Sequence, residues 1–161
     1  MIRPARSEDV PRIVDLIVEL ATYEREAEQA QATVEQLDGA LFAPQPAVFC
    51  HVAEDEDGRV VGFALWFLTF STWLGRHGIY LEDLFVEPSA RRAGHGRALL
   101  AELARTAVTR GYGRLDWAVL DWNTPAQDFY SSLGAAPMQD WTTWRLTGPA
   151  LSALGGLTGH R

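Results

Sequence analysis

The sequence predicts an α/β fold with one mixed sheet. At 161 residues, 47% of them hydrophobic and 22% charged, the chain is long enough for one full core and short for two. Apolar residues switch between helical spacing and strand-like runs, and no repeat or low-complexity linker interrupts them. We therefore expect one domain over 1–161, ordered strand, helix, helix, three strands, helix, strand, helix, strand, with a loose tail over 149–161.

The N-terminal part predicts a short strand followed by two helices. "IRPA" at 2–5 is the strand, and the next helix has Pro11 in its first turn, with Ser7 or Asp9 available to cap it. A second helix is expected to end near Gly39. The first helix is predicted by apolar residues at helical spacing, namely Ile13, Leu16, Ile17 and Leu20.

A change of pattern at Val48 predicts a three-stranded meander. "VFCHVAE" and "VVGFALWFLTF" read as two strands joined by a hairpin turn at Asp57 and Gly58. "STWLGRHG" then reads as a loop, and "IYLEDLFV" as the third strand.

The second half continues with alternating helices and strands. "GRALLAELARTAVTR" carries an apolar stripe and is stopped by Gly111. "RLDWAVLDW" predicts a strand, "TPAQDFYSSLG" a short helix, and "WTTWRL" a final strand.

Charge and composition exclude several classes of function. A net charge of -7 and a pI near 5.0 argue against nucleic acid as a partner and suit a cationic or amine substrate. The single cysteine, Cys50, excludes an intrachain disulfide and a CxxC metal site, and its apolar surroundings predict a buried core thiol. The histidines show no metal-ligand spacing, so no metal is expected. Without a signal peptide or a membrane-spanning run, we expect a cytoplasmic protein that does not contact membrane.

The stretch "EPSARRAGHGRALL" places two glycines where a strand gives way to a helix. Free backbone N–H groups and the positive end of the helix meet at such a junction and suit a phosphate. The arginines at 91, 92 and 97 add charge. Neither the Gly-Lys-Ser/Thr motif nor a complete GxGxxG is present, since Leu99 stands where the third glycine would be. The alternative to a phosphate site is a turn that needs glycine only for its backbone conformation, with the arginines exposed to solvent.

Two further segments contain polar residues in unusual places. In "YLEDLFVEP", Glu82 and Asp83 are adjacent inside an apolar strand. Burying a carboxylate costs free energy unless it is paired, so carboxylates at these positions indicate a specific role. "LDWNTPAQDFY" puts Asn123 at a strand end and Tyr130 on the following helix, where a tyrosine is more often packing than catalysis. Taken singly, neither segment decides a function.

Together these segments resemble the GNAT acetyltransferase superfamily. "RRAGHG" at 91–96 matches the family's acetyl-CoA motif of Gln or Arg, two residues, Gly, one residue, and Gly or Ala. "IRPA", "ELATYE", "VVGFALWFLTFSTWLGR", "IYLEDLFV", "AVLDWN" and "DFYSSLGA" look like the diamine acetyltransferases, of the spermidine/spermine and thialysine types. The resemblance implies the GNAT acyl-CoA N-acyltransferase fold with a splayed central strand pair, acetyl-CoA as cofactor, and a homodimer.

The resemblance also implies which residues hold acetyl-CoA. The backbone around the glycine motif would cradle the pyrophosphate, the strand before it would pair with the pantetheine arm, and the start of the later helix would line the other side. The implied residues are Leu84, Phe85, Val86, Arg91, Arg92, Ala93, Gly94, His95, Gly96, Arg97, Asn123, Thr124, Pro125 and Ala126.

By the same resemblance, a neutral amine would attack the acetyl thioester directly. Glu82 would bind the ammonium and accept its proton, with a pKa raised in a partly dry strand, and Tyr130 would protonate the departing thiolate. An ion pair between Glu82 and an arginine is the structural alternative. The sequence leaves open which of Glu82 and Asp83 faces the site, unless a bulge intervenes.

The amine site is implied by acidic and aromatic residues: Tyr23, Glu24, Glu82, Asp83, Asp116, Trp117, Ala118 and Thr142. Thr142 stands where polyamine enzymes have a glutamate, which favours thialysine, a lysine-like amino acid or a small diamine over long polyamines. The alternatives are an acetyltransferase for a peptide, protein or aminoglycoside amine, and an acyl-CoA-binding sensor without catalysis.

Overall fold

The fold is built on a five-stranded mixed sheet. A computed structural model describes residues 1–156. The strands lie side by side in chain order, and the first four are antiparallel while the last pair is parallel. They are β1 (Ile2–Pro4), β2 (Phe49–Glu54), β3 (Val60–Ser71), β4 (Arg76–Val86) and β5 (Leu115–Trp117). The helices are α1 (Val10–Tyr23), α2 (Val34–Leu41), α3 (His95–Arg110), α4 (Thr124–Ser132) and α5 (Gly148–Leu154).

Contacts divide the chain into two compact units, Met1–Leu120 and a second that starts at Asp121. The first unit contains the sheet and α1 to α3. Its main core lies between one face of the sheet and the helices α1 and α2. The buried side chains of that core are Val10, Ile13, Leu16, Leu37, Leu41, Cys50, Val52, Val60, Phe63, Leu65 and Phe85.

The second face of the sheet is covered by α3. Neighbouring residues of a strand point to opposite faces, so the burial of Ala64 and Trp66 beside the core residue Leu65 shows that both faces of β3 are covered. Helix α3 contacts β1 to β4 and buries an apolar stripe at Leu99, Leu100, Leu103 and Ala107. Its helical end is set by Gly111, whose φ of 73° terminates it in the left-handed conformation.

The sequence-based elements of the N-terminal half are confirmed in position. Helix α2 extends two residues past the expected stop at Gly39. The capping of α1 differs from the expectation: Asp9 is the N-cap residue, but its side chain does not cap the helix. The carboxylate instead accepts both Arg3 guanidinium nitrogens at 2.7 and 2.9 Å and the Arg6 amide at 2.7 Å, which ties β1 to the start of α1.

The loop predicted at "STWLGRHG" after β3 is shorter than expected. β4 begins at Arg76, opposite Ser71, so only 72–75 turn the chain and the two strands form an extended hairpin. The strand expected at 114–122 is also shorter, since β5 ends at Trp117.

The final strand predicted at 141–146 is absent from the described structure. "WTTWRL" has the β-branched and aromatic residues of a strand, but a strand needs a neighbouring one for its backbone hydrogen bonds, and residues 121–156 contain no other strand. The tail expected to be loose from 149 onward includes the short helix α5. The rest of that expected tail, 157–161, lies outside the described residues.

Candidate functional site

A bulge in β4 marks the first irregularity of the sheet. Leu65 of β3 is opposite Asp83 and Trp66 is opposite Leu81, so Glu82 is an extra residue without a partner of its own in β3. Such a bulge bends the strand and removes the strict alternation of side chains. Glu82 and Asp83 therefore need not point to opposite faces of the sheet.

The pairing of β4 with β5, the last strand of the sheet, ends at the same point. β4 and β5 pair only from Ile79 opposite Leu115 to Leu81 opposite Trp117. β4 continues to Val86, and within the described residues the stretch 82–86 has a strand neighbour only in β3. The separation of the central pair expected from the fold class thus begins beside the bulge, and it leaves backbone groups of β4 open on one edge.

Asp83 lies on the side of the sheet that faces α1 and α2. It is directly opposite the core residue Leu65, and opposed residues of paired strands share a face. Burial, together with the negative charges of Glu82 and Glu24, raises the pKa of Asp83 to about 6. Burial also raises the pKa of Glu24, which caps the C-terminal end of α1. A carboxylate with a raised pKa is thus found at Asp83, the neighbour of Glu82.

Glu82 connects this pair of carboxylates to a second polar group. Tyr80 is opposite Asp116 of β5, and its ring stacks on Phe67 with centroids 5.1 Å apart. Burial and the charges of Glu82 and Asp116 raise the pKa of Tyr80. The exposed Glu82 therefore lies between Asp83 on one side and Tyr80 on the other, in an acidic patch that we define as Glu24, Tyr80, Glu82, Asp83 and Asp116.

The ion pair considered as an alternative for Glu82 occurs at Glu87 instead. Glu87 is 6% exposed and bonds to Arg12 of α1, to Arg59 of the β2–β3 turn and to the Ser89 hydroxyl at 3.1 Å. This network anchors the end of β4 to α1 and to the hairpin. Glu87 is not among the residues predicted from the sequence, although an acidic residue at the end of an apolar strand is a recognisable signal for such an anchor. Among the recorded ion pairs of residues 1–156, none involves Glu82.

The turn after β4 brings backbone amides together at the start of α3. Arg92 and Gly94 have φ of 72° and 80°, and Gly94 is the N-cap of α3. The Ala98 amide donates to the Gly94 carbonyl at 2.9 Å as the first bond of the helix. By helix geometry, the amides from His95 to Arg97 then have no carbonyl within the helix to bond. These amides and the helix dipole favour an anion at this point.

Gly96 is not required by the protein's own packing. A Cβ at this position would meet only a Val86 methyl group at 4.0 Å, which is ordinary contact, and the backbone does not have a positive φ. A glycine inside a helix costs up to about 1 kcal/mol relative to alanine. The protein's own packing therefore does not explain why this position has no side chain.

Arg91 supports this turn from the side of the strand. Its Nε donates to the Val86 carbonyl at 3.0 Å, and its guanidinium lies 5.4 Å from the ring centroids of both Tyr23 and Phe85. Arg91 thus links the end of α1 to the end of β4.

Of the residues expected to hold the cofactor, Phe85 points its side chain into the core, so only its backbone is available. Arg97 and Arg92 are exposed.

The second unit carries the predicted residues from Asn123 to Ala126, together with Tyr130 and Thr142. Asn123 is 7% exposed and caps α4, its Oδ1 accepting the Ala126 amide at 3.3 Å, and Pro125 occupies the first turn. Tyr130 is half-buried on α4, with its ring 5.4 Å from that of Phe129. Thr142 is exposed in an irregular segment. Helix α4 thus forms as predicted, with Thr124 as its first residue.

Two expectations about other residues can be compared with the structure. Burial raises the pKa of the Cys50 thiol to about 12, which agrees with a core thiol and not a nucleophile. Trp117 ends β5 and Ala118 follows it, at the point where β4 and β5 separate.

Within residues 1–156, no group of histidine, cysteine and carboxylate side chains is arranged to hold a metal ion. No helix in this part of the chain is long and apolar enough to cross a membrane.

Comparison with known proteins gives a consistent family. The sequence model of the Acetyltransferase (GNAT) family matches residues 12–135. A thialysine N-epsilon-acetyltransferase of Bos taurus is 38% identical over 166 residues, covering 97% of each chain. An L-ornithine N5-acetyltransferase of Arabidopsis thaliana is 33% identical, covering 95% of this chain and 86% of its own.

A solved structure agrees with this result. An integron cassette protein from the mobile metagenome of V. cholerae has a TM-score of 0.79 and 30% identity, covering 96% of both chains. The separated central strands, the glycine turn at the start of α3 and the full-length sequence similarity all lead to the same conclusion. The chain belongs to the GNAT family of acetyltransferases and is an N-acetyltransferase.

Proposed function

We propose that this protein transfers an acetyl group from acetyl-CoA to the primary amine of a small cationic substrate. The observation that carries the proposal is the acidic patch beside the β4 bulge. Burial and the nearby charges of Glu82 and Glu24 raise the pKa of Asp83, and Asp116 extends the patch through Tyr80. A surface that concentrates carboxylates at the open edge of a strand attracts and orients an ammonium group.

The residues of the glycine turn fit the cofactor. Amides from His95 to Arg97 would bind the pyrophosphate, the missing side chain of Gly96 admits it, and Arg92 and Arg97 add positive charge. The backbone of Leu84 to Val86 would pair with the pantetheine arm along the edge that β5 leaves open. Arg91 would act through this backbone, since it already bonds the Val86 carbonyl. When bound, acetyl-CoA supplies an activated acetyl thioester.

Replacing Gly96 with alanine tests this assignment of the cofactor. The variant is expected to unfold at a slightly higher temperature, because the free energy of unfolding gains up to about 1 kcal/mol from the better helix propensity. It is also expected to bind CoA about tenfold more weakly, because the methyl group occupies the approach to the backbone amides. Thermal unfolding and calorimetric titration with CoA measure the two effects.

Gly39 of α2 provides the matched control. A Cβ there meets nothing within 4 Å, so Gly39→Ala changes helix propensity without touching the glycine turn. It should stabilise the protein and leave CoA binding unchanged. Unweakened CoA binding in Gly96→Ala would contradict the proposed cradle.

The substrate amine is protonated at pH 7 and must lose a proton before it can attack the acetyl group. An alkylammonium titrates near about 10.4, so forming the neutral amine at pH 7 costs about 4.6 kcal/mol. We propose Glu82 as the group that binds the ammonium and accepts its proton, because it is exposed at the bulge and has no recorded ion pair among residues 1–156. Asp83 and Glu24 would hold the charge of the substrate nearby.

The size of the substrate follows from what surrounds the patch. Tyr23 and Glu24 lie at the end of α1, and Trp117 and Ala118 lie where β5 ends. Thr142 adds no negative charge. The relatives named above act on thialysine and ornithine, which each combine a terminal amine with an amino-acid head. We therefore favour a lysine-like amino acid or a small diamine.

Tyr130 is proposed to complete the reaction by protonating the departing thiolate. A phenol with a pKa near about 10 remains protonated at neutral pH and can donate to sulfur. Asn123 and the first turn of α4 from Thr124 to Ala126 are proposed to contact the cofactor. The half-buried position of Tyr130 and the buried cap at Asn123 support these roles, because each residue is held in place by its own helix.

A panel of amines tests the proposed function directly. Acetyl-CoA consumption is measured with thialysine, lysine, ornithine, putrescine, spermidine, an aminoglycoside and a peptide with an N-terminal glycine. We expect kcat/KM to be highest for the amino acids and the short diamine. A strong preference for spermidine would refute the argument from Thr142, and a preference for the peptide or the aminoglycoside would refute the small-amine site. Saturable binding without turnover on any amine would identify a sensor.

We further propose that the chain acts as a homodimer in the cytoplasm. Support comes from the segment after α4, which exposes Trp141 by 70% and Trp144 by 91% together with Leu151 and Leu154 of α5. Large apolar side chains exposed together are typical of surfaces that a partner covers. Light scattering on the purified chain gives the mass that checks this state.

A further inference from the structure

Glu87 is a buried carboxylate that the proposed reaction does not use. It is the first residue after β4 and is 6% exposed. Its oxygens accept hydrogen bonds from the guanidinium groups of Arg12 and Arg59, and one oxygen also accepts the Ser89 hydroxyl at 3.1 Å. Buried ion pairs add little net stability compared with apolar side chains of similar size, so stability alone does not account for Glu87.

The backbone of Glu87 sets the direction in which the chain leaves β4. Its amide donates to the Val61 carbonyl of β3 at 2.9 Å, and its carbonyl accepts the Ala90 amide at 3.0 Å, which closes one turn of 3-10 helix. The side chain adds contacts with two other elements, since Arg12 belongs to α1 and Arg59 to the turn between β2 and β3. The segment from β4 to α3 is therefore fixed at its first residue by three elements.

The glycine turn, residues 92–97, has no comparable contacts of its own. Within the described residues 1–156, the side chains of this stretch form no recorded hydrogen bond or ion pair. Arg92 nevertheless has a φ of 72°, and residues other than glycine keep this left-handed conformation only where the surrounding structure holds it. The restraint therefore comes from outside the stretch, from Glu87 and Arg91 before it and from α3 after it.

The turn between β2 and β3 also lies near the start of α3. Asp55 of this turn accepts the Arg59 amide at 2.9 Å. That hydrogen bond is the main cause of the lowered pKa of Asp55, and the nearby imidazole of His95 contributes to the lowering. Because His95 is the first residue of α3, Arg59 connects Glu87 to a turn that borders the proposed pyrophosphate site.

We propose that Glu87 is a positioning residue for acetyl-CoA. By holding Arg12 and Arg59 on one carboxylate, it keeps the glycine turn in the conformation in which the amides from His95 to Arg97 converge on the pyrophosphate. A turn that is ordered before binding avoids the cost of ordering it during binding. Glu87 acts through the turn and not by contact with the cofactor, and this role rests on the proposed function.

Replacing Glu87 with glutamine in the full chain tests the proposal, because glutamine keeps the size of the side chain and removes the charge that holds both arginines. We expect the Kd of CoA and the KM of acetyl-CoA to increase about tenfold. The kcat at saturating acetyl-CoA should change less than about twofold, because Glu87 takes no part in the proton transfers. Calorimetric titration and initial rates measure these effects.

Acetyl-pantetheine separates positioning of the turn from a general effect on the protein. It carries the same thioester as acetyl-CoA but lacks the pyrophosphate and the nucleotide. Its kcat/KM as acetyl donor should therefore be the same in Glu87→Gln and in the original protein, whereas that of acetyl-CoA should decrease about tenfold in the variant.

Two further variants allow for a loss of stability in Glu87→Gln. The Arg59 side chain is 56% exposed, so Arg59→Gln should fold normally, and it should weaken CoA binding about threefold because Arg12 still holds the carboxylate. Arg3→Gln is the control, since Arg3 bonds to the buried carboxylates of Asp9 and Glu54 in a similar network at the opposite edge of the sheet. It should lower the unfolding temperature and leave the Kd of CoA unchanged.

The outcomes distinguish the role of Glu87 from the proposed function. If the original protein prefers CoA to pantetheine, and neither Glu87→Gln nor Arg59→Gln weakens CoA binding, Glu87 is not a positioning residue and the proposed function is unaffected. If Arg3→Gln weakens CoA binding as much as Glu87→Gln, the effect is one of stability and the positioning role is also excluded. If the original protein binds CoA no better than pantetheine, the proposed pyrophosphate site is wrong, and the role of Glu87 is wrong with it.

Discussion

Replacing Glu82 with glutamine is expected to lower kcat/KM for the amine about 100-fold or more, the typical contribution of a positioned general base. Glutamine has nearly the same shape, so the bulge at this position is retained while the ability to accept a proton is lost. The pKa of Asp83 should fall in the same variant, because the charge of Glu82 contributes to raising it. Steady-state kinetics and carbon-13 NMR of the aspartate carboxyl groups measure the two effects.

Replacing Asp83 with asparagine is expected to give a different result. The pKa of Asp83 is raised to about 6 in the folded protein, from a reference of 3.8. The unfolded chain therefore loses this proton at lower pH than the folded one, and the charged carboxylate opposes folding at pH 7. Asp83→Asn should raise the free energy of unfolding at pH 7 by up to about 3 kcal/mol, and this gain should vanish below about pH 4.

The same variant should also change the pH dependence of activity. In the original protein, kcat/KM is expected to decrease below about pH 6 as Asp83 becomes neutral and the acidic patch loses charge. Asp83→Asn should remove this step and reduce kcat/KM about tenfold, because one of the charges that hold the ammonium is gone. A protein that becomes more stable and less active is typical of substitutions at a functional site.

Glu56→Gln is the matched control for both substitutions. Glu56 is exposed in the turn between β2 and β3, so its loss removes one negative charge without touching the patch. It should leave kcat/KM and its pH profile unchanged. If Asp83→Asn instead costs more activity than Glu82→Gln, the proton acceptor is Asp83, and our assignment of the base to Glu82 is wrong.

Glu82 and Asp83 show which features of the structure can be predicted from the sequence and which cannot. The apolar periodicities of α1, α3 and the β2–β3 hairpin depend on residues close in the chain, and these elements were predicted nearly to their ends. The bulge at Glu82 depends on how β4 pairs with β3 and how β5 stops beside it. That pairing brings together residues far apart in the chain, so "YLEDLFV" alone could indicate two carboxylates but not their faces.

The same reason explains the other differences. "WTTWRL" has the composition of a strand, but forming one requires a neighbouring strand, which residues 121–156 do not provide. Likewise, the arginine partners expected near Glu82 are found at Glu87, because Arg12 and Arg59 reach that position from α1 and from the β2–β3 turn. Family resemblance supplied the cofactor motif, and the structure adds that Gly96 has no packing role that would explain it.

Replacing Tyr130 with phenylalanine is the second substitution for which we expect a large effect. Loss of the phenol leaves the thiolate to depart without a proton, and we expect kcat to decrease about 100-fold, within the usual range for a general acid. The ring itself remains, so its contact with Phe129 on α4 is retained and the fold should be preserved. Binding of CoA should change less than twofold, because a proton donated during the reaction contributes little to ground-state affinity.

Two measurements distinguish this role from simple packing. The solvent deuterium isotope effect on kcat should differ between the original protein and Tyr130→Phe if the phenol transfers a proton in the slow step. Tyr112→Phe is the control, since Tyr112 follows α3 with its ring 5.9 Å from that of His77 and lies outside the proposed machinery. Removing its hydroxyl should leave kcat intact. An unchanged kcat in Tyr130→Phe, or a loss confined to KM, would exclude Tyr130 as the acid and would require water to protonate the leaving group.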